Sequence, residues 1–299
     1  MPQVRANGLT LEYDSVGEGP AILLVSGLGV PMTRWAEPFC ERLAGQGFRV
    51  IRFDNRDVGL STHLHGAPVP DFAALAAAVA RGERPAVPYT LDDMAADTVG
   101  LFDALGIERA HLAGRSMGGM IAQLVAAGHP HRVLSLAAIM SSTGNPALPQ
   151  AAPTVMAALA RPAPDPAADE AGFLAHSAAF ARLIAGPGFP FDEAAHRAQA
   201  LAEARQSRDP AGFARQIAAI AATGDLRPRL ARITAPTLVV HGADDPLVPP
   251  AAGRDIAANI PGTELMIIDG MGHDLPPPLH GPVADAILHN MRRTKSLWT

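Results

Sequence analysis

The chain has 299 residues, of which 48% are hydrophobic and 18% are charged, and its formal net charge at pH 7 is -5. This length and apolar content suffice for one large domain or two small ones with a substantial core. No run of Lys or Arg accompanies the negative net charge, which argues against a nucleic acid partner, because a phosphate backbone requires a basic surface.

The beginning of the sequence lacks the apolar segment and small-residue cleavage site of a secretory signal. The apolar run at residues 21–26 is far too short to span a bilayer. Cys40 is the only cysteine, which excludes an internal disulfide and a cysteine-based metal cluster. These features predict a soluble, cytoplasmic protein without a membrane partner.

Six apolar runs rich in β-branched residues alternate with amphipathic segments. Because such runs suit strands that are buried on both faces, they predict strands at residues 21–26, 48–54, 109–114, 132–140, 237–242 and 264–269. Helical spacing of apolar residues follows or separates these runs at residues 33–47, 91–106, 117–130, 251–262 and 280–293. The alternation predicts an α/β fold with a mainly parallel sheet and helices on both faces.

Two long stretches interrupt this alternation. Residues 145–229 are rich in Ala and Pro and contain helical patterns but no convincing strand. We interpret them as a helical cap over the sheet edge where ligands bind, with residues 1–144 and 230–299 forming the core. An Ala-rich surface extension without a role in binding is the alternative. The second stretch, residues 63–88, is a Pro-containing connection that could add a lid segment.

A single serine lies between two glycines where a predicted strand meets a predicted helix, in the segment Gly114-Arg115-Ser116-Met117-Gly118. This context is typical of a nucleophile elbow. The glycines permit a tight turn, and the amino terminus of the helix faces developing negative charge. Ser116 is therefore the candidate nucleophile, and a packing turn with an incidental serine is the alternative.

A serine hydroxyl becomes a good nucleophile only when a histidine takes its proton and a carboxylate orients that histidine. Asp244 and Asp245 follow the fifth apolar run, and His273 lies in a glycine-containing loop after the sixth. The order serine, aspartate, histidine is that of one of the common triads. We favour Asp245 over Asp244 because the following proline restricts its backbone. His280 is a weaker alternative to His273 because it opens a predicted helix.

Acyl transfer also requires donors for the oxyanion of the tetrahedral intermediate. The amide of Met117 is the first candidate, since it follows the nucleophile, and the loop after the first apolar run should supply the second. We favour Leu28 in that loop, with Gly29 as the alternative. A turn needed only for chain reversal is the less favoured explanation of the loop. Val30 and Trp35 are predicted to line a substrate pocket together with Met117.

The remaining histidines do not predict a metal site. The pairs His63/His65 and His129/His131 lack acidic or cysteine partners at the spacings usual for metal ligands, so we predict surface residues. Neither a metal nor an organic cofactor is predicted.

Six segments together resemble the α/β-hydrolase superfamily over nearly the whole chain outside the cap: VSGLGV, RFDNRDVGLS, YTLDDMAADTVGLFDALGI, LAGRSMGG, APTLVVHGADDPLVP and IDGMGHDLP. The carboxyl-terminal stretch IDGMGHDLPPPLHGPVADAIL is similar to bacterial esterases related to aclacinomycin methylesterase. The resemblance implies a small-molecule ester substrate, with Ser116 as nucleophile, Asp245 as triad acid, His273 as general base, and Leu28 and Met117 as oxyanion donors.

One departure from the family pattern lies in the oxyanion loop, where Ser26 stands in place of the histidine that many members carry. A second family-like turn contains Asp54, Arg56 and Ser61, to which we assign a bracing role. The same scaffold also supports carbon-carbon bond hydrolases, lactonases and perhydrolases, and some hydrolase-like proteins only bind ligands. The oligomeric state is not predicted.

Overall fold

A computed structural model describes residues 1–294 of the chain. Its centre is an eight-stranded sheet with the strand order β1-β2-β4-β3-β5-β6-β7-β8. The strands are β1 (Gln3–Ala6), β2 (Leu9–Val16), β3 (Ala21–Val25), β4 (Arg49–Phe53), β5 (Ala110–Arg115), β6 (Val133–Ile139), β7 (Thr237–Gly242) and β8 (Glu264–Ile268). From β4 to β8 neighbouring strands are parallel, whereas β1 and β2 are antiparallel. The predicted α/β fold with a mainly parallel sheet is confirmed.

The first two strands form a hairpin that the apolar runs did not predict. Asn7 and Gly8 connect them with φ angles of 47° and 77°, as a two-residue hairpin turn requires. The two strands lie at and next to the edge of the sheet and are partly exposed. Polar residues therefore alternate with apolar ones along them. The Asn-Gly pair between two short alternating segments was the signal that could have revealed the hairpin.

Helices cover both faces of the sheet, as predicted. They are α1 (Glu37–Ala44), α2 (Phe72–Ala80), α3 (Leu91–Ala104), α4 (Met117–Gly128), α10 (Ala251–Asn259) and α11 (Pro277–Arg292). Apolar residues of α3, α4 and α10 belong to one core cluster, and those of α1 and α11 belong to the other. No helix within residues 1–294 is long and apolar enough to cross a membrane.

Between β6 and β7 the chain forms a run of helices, in the segment predicted as the cap. They are α5 (Pro153–Ala160), α6 (Glu170–Ile184), α7 (Glu193–Gln206), α8 (Pro210–Thr223) and α9 (Arg227–Leu230). We refer to residues 145–229 as the cap segment. Helix α2, from the second long connection, contacts α8.

The first turn of α4 lies so close to β3 that no side chain fits between them. A Cβ atom at Gly118 would lie 2.2 Å from the carbonyl oxygen of Val25, and one at Gly114 would lie 2.2 Å from the carbonyl oxygen of Gly118. Both neighbours are backbone atoms of central elements, so neither can move cheaply. The two glycines therefore fix how β5 turns into α4.

We predict that Gly118→Ala lowers the free energy of unfolding by more than about 2 kcal/mol, because the new methyl group overlaps backbone atoms. Gly128→Ala is the matched control: it lies at the other end of α4, where a Cβ would meet nothing within 4 Å. There we expect no loss, or a gain of up to about 1 kcal/mol. Urea unfolding of both variants checks this, and equal stabilities would contradict it.

Candidate active site

Ser116 occupies a strained turn between β5 and α4. Its φ of 55° and ψ of -125° are unusual for a residue with a side chain. Several hydrogen bonds hold this conformation: the Ser116 amide donates to the Ile139 carbonyl at 2.9 Å, and the Ser141 hydroxyl and the Gly119 amide donate to the Ser116 carbonyl at 2.8 and 2.9 Å. The half-buried hydroxyl is thus held at the carboxyl edge of the sheet.

The structure brings Ser116, His273 and Asp245 together from distant parts of the chain. Asp245 as a carboxylate only accepts hydrogen bonds, so His273 donates from Nδ1 to Asp245 Oδ2, at 2.7 Å. His273 Nε2 then accepts from Ser116 Oγ at 3.0 Å. The imidazole is buried and connects the hydroxyl to the carboxylate.

The Asp245 carboxylate is held by its own turn. Its Oδ1 accepts from the amides of Leu247 and Val248 at 2.9 and 2.8 Å, and His241 Nε2 lies 3.5 Å from Oδ2. Burial alone would raise the pKa of Asp245, but the charge of His273 and the hydrogen bonds outweigh it and lower the pKa to about 2. The carboxylate is therefore ionised across the neutral pH range.

The two alternatives for these positions make other contacts. Asp244 Oδ2 accepts from the Gly270 amide at 2.8 Å and thereby joins two loops. His280 Nε2 donates to the Leu275 carbonyl at 3.2 Å. Neither is hydrogen-bonded to Ser116 or to His273 in the described part of the chain.

The loop after β3 turns back toward the amino terminus of α4. The Val30 amide donates to the Gly27 carbonyl at 3.3 Å, and Gly29 has a φ of 63°. The amide of Gly29 donates to Gln216 Oε1 of helix α8 at 2.7 Å. By contrast, the amides of Leu28 and Met117 donate to no acceptor within residues 1–294. Two amides beside Ser116 are thus left for a ligand.

The family model of the α/β-hydrolase fold matches residues 20–276, most of the chain. The chain belongs to this family. The rhodomycin D methylesterase of Streptomyces sp. strain C5 is 31% identical over 97% of each sequence, and that of Streptomyces peucetius is 30% identical over 95% of each. A solved enol-lactonase from Burkholderia xenovorans LB400 is 26% identical, with a TM-score of 0.70 over 97% of this chain and 100% of that chain.

Gln216 is a site residue of this α/β hydrolase that the sequence did not reveal. Its side chain is wholly buried. Besides accepting from Gly29, it donates from Nε2 to the Arg56 carbonyl at 2.8 Å. Because Gln216 lies 187 positions from Gly29, in a segment without a motif, only the fold shows the contact.

The turn with the predicted bracing role, which contains Asp54, contacts the chain just after the loop that follows β3. Asp54 accepts from the amides of Met32 and Leu60 at 2.7 and 3.2 Å, and the Ser61 hydroxyl donates to the Asp54 carbonyl at 2.6 Å. Burial raises the pKa of Asp54 to about 6, although the two amide hydrogen bonds act in the opposite direction.

Arg56, from the same turn, connects that turn to helix α3. Its guanidinium pairs with Asp97 of α3 at 2.6 Å. At the end of β3, the Ser26 carbonyl accepts from Asn55 Nδ2 at 3.0 Å. The backbone at Ser26, which replaces the family's histidine, is thus supported from the same turn.

His63 was predicted to be a surface residue, but its side chain is only 12% exposed. His63 Nδ1 lies 3.0 Å from Asp209 Oδ2 of the cap segment, and its Nε2 lies 2.9 Å from the Gly59 carbonyl oxygen. Asp57 and Asp209 approach closely enough to suggest a metal site with His63. However, Arg215 already contacts both carboxylates at 2.8 and 3.0 Å. A guanidinium therefore occupies the position of the cation.

The predicted pocket residues differ in exposure. Trp35 and Met117 are 1% and 2% exposed, and Trp35 stacks on Phe39 with ring centroids 5.5 Å apart. Val30 is half-buried at the loop surface. Their role in substrate binding stays a prediction.

We predict that the raised pKa of Asp54 makes the stability of this hydrolase pH-dependent. Because the folded protein binds the proton more tightly than the unfolded chain, the contribution is full below about pH 4 and is lost as the pH rises through about 6. The difference in unfolding free energy between wild type and Asp54→Asn should fall by up to about 3 kcal/mol over this range. Urea unfolding between pH 4 and pH 7 measures it; a constant difference would refute the assignment.

Proposed function

We propose that this protein is a serine hydrolase that cleaves carboxylic esters through an acyl-enzyme. The observation that carries the proposal is the continuous hydrogen-bonded path from Ser116 Oγ through the His273 ring to Asp245, with distances of 3.0 and 2.7 Å. A serine whose hydroxyl donates to an oriented imidazole is the arrangement that nucleophilic catalysis requires.

In the first half of the proposed reaction, Ser116 Oγ attacks the ester carbonyl and His273 Nε2 takes its proton. The resulting imidazolium is stabilised by the ionised Asp245, toward which Nδ1 is directed. The tetrahedral intermediate collapses when His273 passes the proton to the leaving alkoxide oxygen. The products of this step are the free alcohol and an ester of Ser116.

In the second half, water attacks the acyl-enzyme while His273 again accepts a proton. Collapse returns that proton to Ser116 Oγ and releases the carboxylic acid. These steps use the three side chains and two backbone amides, and they place no chemical demand on a cofactor.

We assign the oxyanion donors to the amides of Leu28 and Met117. The Gly29 amide is engaged by Gln216, which supports Leu28 over the alternative. The amide of Met117 lies at the first position of α4, where amides have no partner within the helix and the helix dipole favours negative charge.

The two Streptomyces relatives favour an ester of a small molecule as substrate, because both are named methylesterases. A lactone is the second candidate, since it is an internal ester and the solved relative is an enol-lactonase. The division into core and cap and the cytoplasmic location stay predictions from the sequence.

We expect Ser116→Ala to lower the turnover of p-nitrophenyl esters by several powers of ten, because the nucleophile is lost. Ser142→Ala is the matched control, since Ser142 lies at the same sheet edge but its hydroxyl accepts from the Gly144 amide. The control should keep its activity within a few-fold. Ester turnover retained by a folded Ser116→Ala protein would overturn the proposal.

The same assay should include p-nitrophenyl esters of increasing acyl length, a lactone and a dienone ring-cleavage product. The proposal predicts hydrolysis of esters or lactones. Activity confined to the dienone would instead assign carbon-carbon bond hydrolysis.

We also expect Gln216→Ala to lower kcat about tenfold with little change in KM. Without Gln216, the loop that carries Leu28 loses one of its hydrogen bonds but keeps the Leu28 amide. The expected loss is therefore smaller than the 100-fold or more that direct removal of one oxyanion donor typically costs. Gln206→Ala, at the exposed end of α7, is the control and should behave as wild type. A selective rise in KM would show that Gln216 acts in binding rather than in holding the loop.

A further inference from the structure

Arg115, a cationic residue, immediately precedes the candidate nucleophile in the sequence. It is the last residue of β5. Its Nη1 donates to the Arg34 carbonyl at 3.0 Å, and its Cζ lies 5.6 Å from the centre of the Trp35 ring. Within residues 1–294, no carboxylate oxygen lies within 4.0 Å of its guanidinium nitrogens, the distance that defines an ion pair.

Three buried arginines of this protein are paired with carboxylates, whereas Arg115 is half-buried. Arg52, Arg56 and Arg215 are buried, and each has a carboxylate oxygen at 2.7, 2.6 and 2.8 Å respectively. Arg34, which supplies the carbonyl for Arg115, is itself bound by both oxygens of Glu203. Arg115 thus differs from these four arginines, because it has no carboxylate in contact with its guanidinium.

The charge of Arg115 is only partly compensated by its surroundings. Burial lowers the pKa of the guanidinium, the more distant Asp274 raises it and the neighbouring Arg34 lowers it. Glu203 also acts on Arg115, but Arg34 neutralises it at 2.7 Å. An anionic ligand oxygen at Arg115 would supply the charge that the chain does not place in contact with it.

The Arg115 side chain projects from the carboxyl end of β5, at the edge of the sheet that carries Ser116. Side chains alternate along β5, so Arg115 lies opposite Gly114, which faces α4. Its guanidinium thus lies on the side of the sheet edge away from α4 and the Met117 amide. An acyl chain that extends from Ser116 to this side would bring its far end toward the guanidinium.

We propose that Arg115 binds a carboxylate on the acyl part of the substrate, so that a half-ester of a dicarboxylic acid is the preferred class. The proposal rests on the proposed ester hydrolysis. An Arg fork presents parallel N–H donors that match both oxygens of a carboxylate, and only one of its donors is used by the Arg34 carbonyl. The acyl part is the retained group, because it stays on Ser116 through both halves of the reaction.

The test compares monomethyl and dimethyl esters of succinate, glutarate and adipate at pH 7.5. Wild type should show a higher kcat/KM for at least one half-ester than for its diester. Arg115→Gln should lose about 10- to 100-fold on that half-ester, the effect of a charge-assisted hydrogen bond, and stay within a few-fold on the diester. Arg115→Lys should recover part of the loss, because it restores the charge without the fork.

Two further measurements separate the possible failures. Arg232→Gln removes one exposed positive charge and controls for a general electrostatic effect; it should leave the preference unchanged. Calorimetric titration of Ser116→Ala protein with the same half-esters and diesters reports binding without chemistry. The tighter binding of the half-ester should disappear in the double variant Ser116→Ala, Arg115→Gln.

The outcomes are distinct. If p-nitrophenyl esters, diesters and half-esters all resist hydrolysis while Ser116→Ala protein binds half-esters through Arg115, the ester hydrolysis fails and the anion site stands. If esters are hydrolysed but no half-ester is preferred, or the preference survives Arg115→Gln, the anion site is refuted and the hydrolase stands. A similar loss on diester and half-ester also refutes it.

Discussion

The site depends on the close approach of the first turn of α4 to the central strands. Only glycine fits at Gly118, because a Cβ there would overlap the Val25 carbonyl. This approach makes the chain reverse direction within a few residues and forces Ser116 to a φ of 55°. The strain is sustained by the hydrogen bonds from neighbouring strand ends, so the fold holds the hydroxyl outward before any ligand binds.

The cap segment contacts two loops of the candidate site. The His273 amide donates to the Ile184 carbonyl of α6 at 2.8 Å, and Gln216 of α8 accepts from the Gly29 amide in the loop after β3. Buried pairs add to this attachment, above all Arg215 with Asp57, whose side chains are 1% and 0% exposed. Loss of one partner of such a pair leaves an uncompensated buried charge. Changes in the cap should therefore affect both binding and the chemical step.

Much of this architecture follows from local sequence. The six apolar runs predict the six parallel strands to within one residue at their ends, because fully buried strands are written as continuous apolar segments. The elbow at Ser116 is also visible, since glycine spacing and the strand-to-helix change occur within one short segment. The hairpin of β1 and β2 has a weaker signal, because its strands lie at or near the edge and are partly polar.

Contacts between distant segments could not be predicted in this way. The Gln216 contact with Gly29 and the His63 contact with Asp209 join the core to a cap whose helices carry no motif. The choice of Asp245 over Asp244 rested on the following proline, whereas the structure shows the turn amides of Leu247 and Val248 holding its carboxylate. Such pairings become visible only when the topology places the segments together.

We propose that the environment of Ser116 makes it a nucleophile. Intact-mass analysis after treatment with a fluorophosphonate tests this directly, because the probe reacts with an activated serine. We expect one covalent adduct on the wild type, its absence from Ser116→Ala, and strongly slowed formation in His273→Ala. An unlabelled wild type, or an adduct that persists in Ser116→Ala, would show that Ser116 is not the activated serine.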